Sequence, residues 1–412
     1  MDIIIGGGIT GLSYAMFSES SDYLILEREG ELGGYCRTTK RNGYIWDYSG
    51  HFFHFQDAAI KDLILSGITT EIADIDKHTR IKYKDRLIDY PFQKNIHQLS
   101  KQELIDCLYD LFTVRDSSYS TFQEMLFYKF GKSIAEKFLI PYNEKLYACH
   151  LDTLDKDAMG RFFPHAEKEE IIRNFKSKEN GSYNNKFIYP RGGAIEYIHS
   201  ISSRLDHSKI RLNTGVRNIS MSDHIVTLSS GESIHYDRLI STIPFPQLLR
   251  LAGLDYDKSI YTWNKVLVFN LGFDKKGHNT TDHWLYFPEK KYCFYRVGFY
   301  DNILGENRMS LYVELGFDKE AIITPSEWLN RILSDLQLAG ILSDEQTLTD
   351  YESIIMDPAY VHVNTRSIAD VKQKKSILAN NDIYSIGRYG SWCYCSIEDN
   401  IKEAKILRDT LT

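Results

Sequence analysis

The sequence predicts an α/β protein built of three parts: a parallel-sheet domain, a mainly helical insertion and an antiparallel β-sheet domain. Three observations support this prediction. The chain opens with a short apolar strand that runs directly into glycines spaced G-x-G-x-x-G, at Gly6, Gly8 and Gly11. From about residue 58 to 178, apolar residues recur mostly at helical spacing. Between about 245 and 369, strand-like segments rich in aromatic residues follow one another.

The glycine motif indicates a Rossmann-like fold that binds a dinucleotide. In such a fold the first glycine permits a tight turn, the second lets the backbone approach a pyrophosphate, and the third lets the helix pack against the strand. The phosphates would lie at the helix N-terminus, which includes Thr10, because unpaired N–H groups there favour anions. A second apolar run ends at Glu27, close to the spacing expected for an acceptor of ribose hydroxyl groups. The alternative is a glycine-rich turn that holds no ligand.

Two further loops carry candidate cofactor contacts. Gly33 and Gly34 follow the acidic strand end, so a second loop can approach the phosphates, and Arg37 could pair with them. An exposed arginine in a surface loop is the other interpretation. Farther along, Gly50 and His51 form a predicted tight loop after a strand, and His51 could lie near a bound ring system. A histidine in an aromatic stretch is, however, more often a packed core residue.

Composition narrows the class of protein. The chain has 412 residues, a net charge of −7 and no basic run, so we expect no nucleic-acid partner. Its six cysteines show neither C-x-x-C nor zinc spacing, which predicts reduced thiols, no metal site and a cytoplasmic location. No apolar stretch approaches the ~20 residues of a membrane span, and no signal peptide is visible, so no membrane association is expected.

The order of the segments predicts three domains, the first of them discontinuous. The domains would be residues 1–57, 185–245 and 370–412 for the nucleotide-binding part, 58–184 for the helical part and 246–369 for the antiparallel sheet. A small hairpin around residues 80–91 would interrupt the helical part. Other predicted elements are strands at 265–273, 284–287, 292–297 and 309–317, a helix at 326–338 and a final helix from about residue 397.

Two segments of the helical part combine aromatic rings with an amide. Tyr90 and Gln93 lie in the sequence Tyr-Pro-Phe-Gln, and Asn143 and Tyr147 lie in Pro-Tyr-Asn-Glu-Lys-Leu-Tyr. Such a combination can stack on a nucleobase and hydrogen-bond its edge. A helix cap with core aromatic residues is the structural alternative, and these residues taken alone favour it.

Two aromatic-rich segments carry arginines. One spans residues 283–296 and ends at Arg296, and the other spans 387–394 and contains Arg388. Arginine binds diphosphate oxygens with a planar fork, and tyrosine hydroxyl groups can complete the set of donors. The pattern therefore predicts a second phosphate-bearing ligand beside the cofactor, with exposed strand arginines as the alternative.

Together these motifs resemble a known family. The glycine motif, Glu27, Gly33, Gly34 and Arg37 are similar to those of flavin proteins of the amine-oxidase/protoporphyrinogen-oxidase superfamily. Within it, the chain resembles the UDP-galactopyranose mutases, and in particular their eukaryotic-type branch. The matching motifs keep their order along nearly the whole chain: Tyr-Pro-Phe-Gln at 90–93, Pro-Tyr-Asn at 141–143 with Tyr147, Pro-Arg-Gly-Gly at 190–193, Trp-Leu-Tyr-Phe-Pro at 284–288 with Tyr295 and Arg296, and Gly-Arg-Tyr-Gly-Ser-Trp at 387–392 with Tyr394.

The resemblance implies an activity and a cofactor. Such enzymes are isomerases that exchange the six-membered and five-membered rings of a UDP-sugar, here UDP-galactopyranose and UDP-galactofuranose, for cell-surface glycan biosynthesis. FAD would be the cofactor, active in its reduced form, with N5 as the covalent nucleophile that displaces UDP from the anomeric carbon. NADPH is one candidate reductant. The exact sugar, the reductant and the oligomeric state stay open.

The resemblance also implies roles by position. The implied catalytic residues are His51, Arg296 and Arg388. The implied substrate-binding residues are Tyr90, Gln93, Asn143 and Tyr147 around the uracil, Arg296, Arg388, Tyr286 and Tyr394 around the diphosphate, Trp284 in the sugar pocket, and Arg161 and Asn184 on two mobile flaps. The implied cofactor-binding residues are Gly6, Gly8, Thr10, Gly11, Glu27, Arg28, Gly33, Gly34, Arg37, Gly50, Val216, Gly387 and Glu398.

Three positions depart from the family pattern. Tyr147 stands where the relatives usually have Trp, Glu398 stands where an Asn contacts flavin and substrate, and Arg161 aligns only across a one-residue gap. These departures leave open a mutase for another nucleotide sugar. Two other classes also remain. One is an FAD-dependent oxidase or desaturase of the same superfamily, which would not need the arginine pair, and the other is a non-catalytic flavoprotein that binds UDP.

Overall fold

The structure is a computed structural model that describes residues 1–18, 22–114, 117–177 and 185–411. In chain order, its strands are β1 (Asp2–Ile5), β2 (Tyr23–Leu26), β3 (Thr38–Arg41), β4 (Tyr44–Asp47), β5 (Ile72–Asp76), β6 (Thr79–Tyr83), β7 (Arg86–Asp89), β8 (Lys186–Pro190), β9 (Ile210–Arg211), β10 (Val216–Ser220), β11 (Ile225–Leu228), β12 (Ser233–His235), β13 (Arg238–Ser241), β14 (Asn264–Phe273), β15 (Trp284–Tyr286), β16 (Arg296–Phe299), β17 (Ser310–Asp318), β18 (Leu348–Met356) and β19 (Ile383–Ser385). Its helices are α1 (Ile9–Phe17), α2 (Ala58–Leu65), α3 (Lys101–Thr113), α4 (Phe122–Ile134), α5 (Ile140–Tyr147), α6 (Lys168–Asn174), α7 (Ile195–Ser202), α8 (Phe245–Leu251), α9 (Tyr300–Leu304), α10 (Leu329–Leu338), α11 (Thr365–Ala379), α12 (Gly387–Gly390) and α13 (Ile397–Thr410). None of the helices within those ranges is long and apolar enough to cross a membrane.

Five parallel strands form the sheet at the start of the chain, in the order β19-β13-β1-β2-β9. All residues of β1 and β2 are buried, as expected for a parallel sheet that is covered on both faces. Ile4 and Ile25 pack in the same cluster as α1, α7 and α13, whereas Ile3 and Leu24 pack with α8 and the small β10–β12 sheet. The α/β class predicted from the sequence is therefore confirmed.

The antiparallel sheet has seven strands in the order β18-β14-β17-β16-β15-β6-β7. The long strand β14, next to the edge strand β18, pairs antiparallel with both β17 and β18. The hairpin predicted around residues 80–91 is β6 and β7, and it joins this sheet because β6 pairs in parallel with β15. Segment 58–184 thus contributes strands to the sheet of segment 246–369 in addition to its helices.

Several elements differ from the sequence-based prediction. The strand expected at 292–297 begins only at Arg296, because residues 292–295 form a turn whose carbonyls bind a lysine of the helical part. The helix expected from residue 326 begins at Leu329, after a 3₁₀ turn at Pro325–Glu327. Strand β18 and helix α11 were not predicted. In α11 only Ser367 and Leu378 are buried, so its apolar periodicity is weak.

The helical part packs tightly on itself and on the large sheet. Helices α3 and α4 each begin with a capping box, formed in α3 by Ser100 and Glu103. Gly131 near the end of α4 has φ +76°, and a Cβ there would lie 2.7 Å from the backbone of Asp110 in α3. One hydrophobic cluster continues from α3, α4 and α5 to β15 and β17. The helices and the sheet therefore share a core.

Lys145, in α5, ties the helical part to the loop between β15 and β16. Its Nζ donates to the carbonyl oxygens of Phe287 at 2.8 Å, Glu289 at 3.1 Å, Tyr292 at 3.0 Å and Phe294 at 2.5 Å. Because these carbonyls converge on one ammonium group, the loop curls around it and cannot continue as a strand. The lysine thereby sets where β15 ends and β16 begins.

Replacing Lys145 by methionine is expected to lower the free energy of unfolding by about 2–3 kcal/mol, because buried carbonyl oxygens lose their donor. Urea unfolding followed by intrinsic fluorescence measures this change. Lys132→Met is the matched control, since the Lys132 side chain is 70% exposed on α4 and should shift stability by less than about 0.5 kcal/mol. An equal loss in both variants would contradict the role given to Lys145.

Candidate active site

A cavity of about 1520 Å³ opens at the carboxyl ends of β1, β2 and β13 and extends to β15, β16 and β17. Ligands of open α/β sheets bind at this edge of the strands. The volume exceeds the roughly 300–1,000 Å³ of a pocket for one small molecule. Glycines and Glu27 line one end, and aromatic rings with two arginines line the other. The shape and lining fit two ligands that meet inside one cavity.

Close backbone contacts build the glycine end. The Gly33 N–H donates to the Gly7 carbonyl at 2.9 Å, which brings the second glycine loop against the first. A Cβ on Gly11 would lie 2.1 Å from the Gly6 carbonyl oxygen, so only glycine lets α1 start this close to β1. Helix α1 begins after Gly8 without a side-chain cap and without an acidic residue in its first turn. Its first N–H groups are therefore available to an anion.

Glu27 is buried and lines the cavity just after β2. Its Oε2 accepts a hydrogen bond from Gly7 N at 2.7 Å, and its Oε1 accepts one from Glu29 N at 2.9 Å. Each carboxylate oxygen keeps a further lone pair that a ribose hydroxyl could use. Arg37 lines the same end and donates to the Glu31 carbonyl at 2.8 Å. The acidic and basic candidates of the glycine end thus lie on the same cavity.

Most of the predicted cofactor residues line the cavity: Gly6, Gly8, Thr10, Glu27, Arg28, Gly33, Gly34, Arg37, Gly50, Val216 and Glu398. Gly11 and Gly387 lie behind the lining. Gly387 has φ +84°, and a Cβ there would meet the Thr10 hydroxyl oxygen at 2.7 Å. Arg28 is largely exposed and pairs with Glu29. The two glycines outside the lining act through backbone packing.

The Glu398 carboxylate is used within the protein. Its Oε1 accepts from the N–H groups of Gln56 at 2.9 Å and Asp57 at 2.8 Å, and its Oε2 accepts from Lys402 at 3.0 Å. The side chain is fully buried. Glu398 therefore attaches the start of α13 to the loop that follows His51.

His51 lines the cavity, and its Nδ1 is buried without a hydrogen-bond partner. Burial lowers the pKa of His51 to about 4, and the positive charges of Arg388 and Arg296 act in the same direction, against the opposing carboxylate of Glu314. The imidazole is consequently neutral at pH 7. A neutral ring can both donate and accept one hydrogen bond toward a ligand.

Arg296 and Glu314 are directly opposed on the neighbouring strands β16 and β17. Arg296 donates from Nε to Oε2 at 2.7 Å and from Nη2 to Oε1 at 2.9 Å, and Glu314 also accepts from the Ser49 hydroxyl. Burial alone would raise the pKa of Glu314, but the Arg296 guanidinium lowers it below its ordinary value. Arg296 and Glu314 thus form a pair without net charge. The Nη1 of Arg296 points away from the Glu314 carboxylate.

Arg388 lies among tyrosine rings. Its guanidinium carbon is 4.6 Å from the ring centre of Tyr394, 5.1 Å from that of Tyr360 and 5.9 Å from that of Tyr389. Its two hydrogen bonds to backbone carbonyls are long, at 3.4 Å each, and its Nε has no partner. Within the described part of the chain, no carboxylate pairs with it. A buried cation in this state favours an anionic ligand, which would supply the missing charge.

Three predicted substrate residues, Tyr90, Trp284 and Tyr286, line the cavity near these arginines. Trp284 donates from Nε1 to the Tyr286 hydroxyl at 2.8 Å and stacks on Phe52 with ring centres 5.5 Å apart. Lys77 lies behind them, with Nζ 5.2 Å from the Tyr90 ring centre and 5.5 Å from that of Trp284. Burial lowers the pKa of Lys77 to about 7. The aromatic wall is therefore backed by a buried lysine that is only partly protonated at neutral pH.

Gln93, Asn143 and Tyr147 are buried but do not line the cavity. Gln93 donates to the Pro164 carbonyl, and Asn143 donates to the Leu139 carbonyl at 2.7 Å. Each of the three still has one buried polar atom without a partner: Gln93 Oε1, Asn143 Oδ1 and the Tyr147 hydroxyl. In this conformation the segment that ends at Pro164 covers Gln93.

The two predicted flap residues have different outcomes. Arg161 is 47% exposed, and its Nη2 lies 2.5 Å from Asp399 Oδ1 at the start of α13. Its neighbour Phe162 lines the cavity, with its ring centre 5.1 Å from that of Tyr394. Segment 159–164 therefore lies along the arginine end of the cavity. Asn184 lies outside the described residues.

The structure adds three residues that the sequence did not single out: Glu314, Tyr360 and Lys77. The sequence could have indicated Glu314, because it is an acidic residue within the otherwise apolar strand sequence Leu-Tyr-Val-Glu-Leu. No sequence pattern indicates Tyr360 or Lys77, because both lie in short connections and reach the site only through the fold.

Comparison with known proteins identifies the family. A family model described as flavin containing amine oxidoreductase matches residues 13–352. The chain belongs to this family. The resemblance to the amine-oxidase superfamily, read from the glycine motif and its followers, is confirmed.

Individual members of the superfamily are similar at low identity. Coproporphyrinogen III oxidase of Staphylococcus aureus (strain NCTC 8325 / PS 47) is 24% identical over 327 residues, which cover 68% of this chain and 69% of that protein. The crystal structure of a reduced UDP-galactopyranose mutase matches with a TM-score of 0.91 and 25% identity, over 100% of this chain and 93% of the mutase. A putative protoporphyrinogen oxidase from Exiguobacterium sp. 255-15 matches with a TM-score of 0.79 and 18% identity, over 100% of this chain and 98% of that one. The predicted likeness to UDP-galactopyranose mutases is confirmed, while the eukaryotic-type branch stays a prediction.

Membership of the flavin containing amine oxidoreductase family implies FAD, and the glycine end fits it. Gly34 has φ +57°, and a Cβ there would already contact the Gly8 Cα at 3.5 Å, so glycines at both positions keep the space between the two loops open. The uncapped start of α1 suits the diphosphate and Glu27 suits the ribose. The cavity is large enough to hold a second ligand beside it.

The buried His51 predicts a pH dependence of stability. Its folded-state pKa of about 4 lies below the ordinary value, so the unfolded chain binds an extra proton between pH 6.5 and 4 and stability falls as the pH falls. His51→Asn should abolish one such contribution, worth up to about 3 kcal/mol between pH 7 and 4. Thermal and urea unfolding across this range measures it. His199→Asn, on an exposed position of α7, should leave the pH profile unchanged, and an identical profile for His51→Asn would contradict the assignment.

Proposed function

We propose that this protein is a flavin-dependent isomerase that interconverts the pyranose and furanose forms of a UDP-sugar, with UDP-galactose as the first candidate. One observation carries the proposal. Arg388, which no carboxylate of the described residues neutralises, lies with Arg296 in the same cavity as the glycine cradle. A dinucleotide held at the glycines does not need a second anion site. The likeness of the whole chain to a reduced UDP-galactopyranose mutase supports the same conclusion.

The charges around the arginines favour a diphosphate. Arg388 supplies a positive charge without a counterion, and Arg296 supplies the guanidinium edge that Glu314 does not use. Hydroxyl groups of Tyr286 and Tyr394, on the same cavity wall, can donate to the remaining phosphate oxygens. A diphosphate would satisfy buried donors that the protein itself leaves unpaired.

The nucleoside and the sugar would occupy opposite sides of this diphosphate. We place the uracil beside Tyr90, with Gln93, Asn143 and Tyr147 behind it. The unpaired buried atoms of the last three residues support this placement, because they are hydrogen-bonding groups without a partner in the present conformation. Reaching them requires segment 159–164 to shift, and that segment holds Gln93 through the Pro164 carbonyl.

The sugar would lie between Trp284 and the loop that carries His51. When bound and reduced, the flavin supplies the nucleophile at N5 and needs no net electron transfer. The protein holds the sugar against the aromatic wall and keeps His51 neutral. Arg388 and Arg296 stabilise the diphosphate as its negative charge grows on leaving the anomeric carbon. Binding and electrostatics thus carry the protein's share of the catalysis.

The cellular setting follows from the same chemistry. All six cysteines are free thiols, which supports the cytoplasmic location expected from the sequence. NADPH is the reductant we propose for the flavin. A UDP-sugar is the substrate that we propose for the site.

An FAD-dependent oxidase is the second candidate, since relatives in the family are oxidases. Such an enzyme would pass electrons from substrate to an acceptor and would not depend on the Arg388 site. Oxygen or acceptor consumption in proportion to substrate would favour it over the isomerase.

Anaerobically reduced protein is expected to interconvert UDP-galactopyranose and UDP-galactofuranose, and the oxidised protein is not. Chromatographic analysis of the nucleotide sugars, with and without dithionite, measures this. A panel of other nucleotide sugars tests whether the departures from the family pattern at Tyr147 and Glu398 change the sugar that the enzyme accepts. Absence of turnover on every UDP-sugar with reduced flavin would overturn the proposal.

Arg388→Ala is expected to weaken UDP binding by roughly 2–5 kcal/mol, because a desolvated partner of the diphosphate is lost. Titration calorimetry with UDP measures this loss. Arg388 is a cleaner test than Arg296, since removing Arg296 would leave Glu314 buried and unpaired and destabilise the fold itself. Arg366→Ala is the control, because Arg366 is 69% exposed and pairs with Asp257. Unchanged UDP affinity in Arg388→Ala would remove the assigned role.

A further inference from the structure

Two basic side chains, His54 and Lys77, adjoin the aromatic wall at Trp284, and the catalytic roles given above use neither. His54 lines the cavity, and burial lowers its pKa to about 4, so the ring is neutral at pH 7. Its Nδ1 lies 2.8 Å from the carbonyl oxygen of Lys186. Because a carbonyl oxygen can only accept, Nδ1 carries the hydrogen and Nε2 keeps a lone pair for a ligand.

Backbone contacts fix the position of Lys77 in the connection from β5 to β6. Its N–H donates to the carbonyl of Asn185 at 2.8 Å, just before β8, and the next residue donates from its N–H to Nδ1 of His283 at 2.9 Å. The Nζ of Lys77 lies 5.2 Å from the ring centre of Tyr90 and 5.5 Å from that of Trp284. Both rings line the cavity. One layer of side chains therefore separates the amine from the cavity.

Strand β8 positions both basic residues. The loop that carries His54 is attached to β8 because Phe53 and Ile188 exchange two backbone hydrogen bonds, at 3.2 and 2.9 Å. Carbonyl groups at the start of the same strand hold the His54 ring and the Lys77 backbone, as described above. The two side chains are close enough that the charge of Lys77 contributes to the lowered pKa of His54. They form one basic group beside the aromatic wall.

Lys77 has no counter-charge within the ranges that the structure describes. No carboxylate there forms an ion pair with its Nζ, no acceptor hydrogen-bonds it, and burial lowers its pKa to about 7. Two acids that line or adjoin the cavity already have partners, since Glu314 pairs with Arg296 and Glu398 accepts from Lys402. An enclosed amine without a partner gains free energy when an anion binds beside it, because the anion stabilises its charged form.

Lys77 and Arg388 would act on different parts of a ligand. Arg388 lies against the ring of Tyr394, whereas Lys77 lies against Tyr90 and Trp284. The diphosphate is assigned to Arg388, and the sugar is assigned to the wall at Trp284. The charge of Lys77 is therefore left for an anionic group on the sugar itself.

We propose that Lys77, with His54 beside it, makes this protein select a UDP-hexuronic acid, which is a UDP-sugar with a carboxylate at C6. The proposal rests on the function assigned above, in which Arg388 binds the diphosphate and the sugar lies against Trp284. The carboxylate pairs with the Lys77 ammonium at the edge of the Tyr90 and Trp284 rings, which the flexible lysine side chain can reach. A hydroxyl of the sugar donates to Nε2 of His54. A neutral hexose leaves the amine unpaired, and selectivity follows from that difference.

The test compares UDP-galacturonic acid with UDP-galactose, because the two differ only at C6. Titration calorimetry with the flavin-loaded full chain should show roughly tenfold or tighter binding of UDP-galacturonic acid relative to UDP-galactose. Lys77→Met should remove this preference and leave the affinity for UDP unchanged, since UDP carries no sugar. Lys77→Arg should keep the preference, because it keeps the positive charge.

Lys186→Met is the matched control, because the Lys186 side chain is 69% exposed and pairs with Asp76 at 3.2 Å. It should retain the wild-type preference. His54→Phe should weaken binding of both UDP-sugars and leave UDP binding unchanged, because the hydroxyl groups are common to both sugars. Thermal unfolding shows which variants fold, and Lys77→Gln makes the same comparison if Lys77→Met does not.

Each other outcome counts against a stated part of the proposal. Equal affinity of the wild-type protein for the two sugars, or a preference that survives Lys77→Met, would overturn selection by Lys77. Unchanged sugar affinity in His54→Phe would remove the role of His54. A reduced protein that prefers UDP-galacturonic acid but exchanges the ring of neither sugar would refute the isomerase and leave this site standing. Ring exchange of UDP-galactose without any preference for the uronic acid would do the reverse.

Discussion

The buried ion pair between Arg296 and Glu314 is the interaction on which the cavity depends. Burying either charge alone would carry a large desolvation free energy. The two residues can pair because they lie opposite each other on β16 and β17. Glu314 also accepts from the Ser49 hydroxyl. That bond attaches the loop carrying Gly50 and His51 to the large sheet. One carboxylate therefore positions an arginine at the aromatic end and a loop of the cavity wall.

The pair also decides how charge is distributed in the cavity. Because Glu314 neutralises Arg296, the net positive charge comes mainly from Arg388, which tyrosine rings surround and no carboxylate of the described residues balances. Weak screening within a buried cavity lets one such charge dominate locally, although the chain as a whole carries −7. Burial keeps His51 neutral, and the positive charges of Arg388 and Arg296 act in the same direction.

The cavity exists only where three sequence segments meet. The first segment supplies the glycine cradle and Glu27, the helical part supplies Tyr90, and the large sheet supplies Trp284 and Arg296. The hairpin β6–β7 and the four bonds of Lys145 join the helical part to the sheet on both sides of β15. The walls of the cavity are for this reason parts of continuous structure, and segment 159–164 is the portion placed across its arginine end.

The sequence by itself determined the parallel-sheet start, the glycine cradle with Glu27, and the arginines and aromatic residues that form the other end. These features depend on spacing within a few residues or on side-chain chemistry, which a linear sequence displays directly. Only the tertiary structure decided that Arg296 is neutralised by Glu314 and that Glu398 serves as a brace. It also decided that Gln93, Asn143 and Tyr147 do not line the cavity, and that residues 292–295 curl around Lys145. Each of these outcomes depends on contacts between residues far apart in the chain, and burial and register set those contacts only when the segments have assembled.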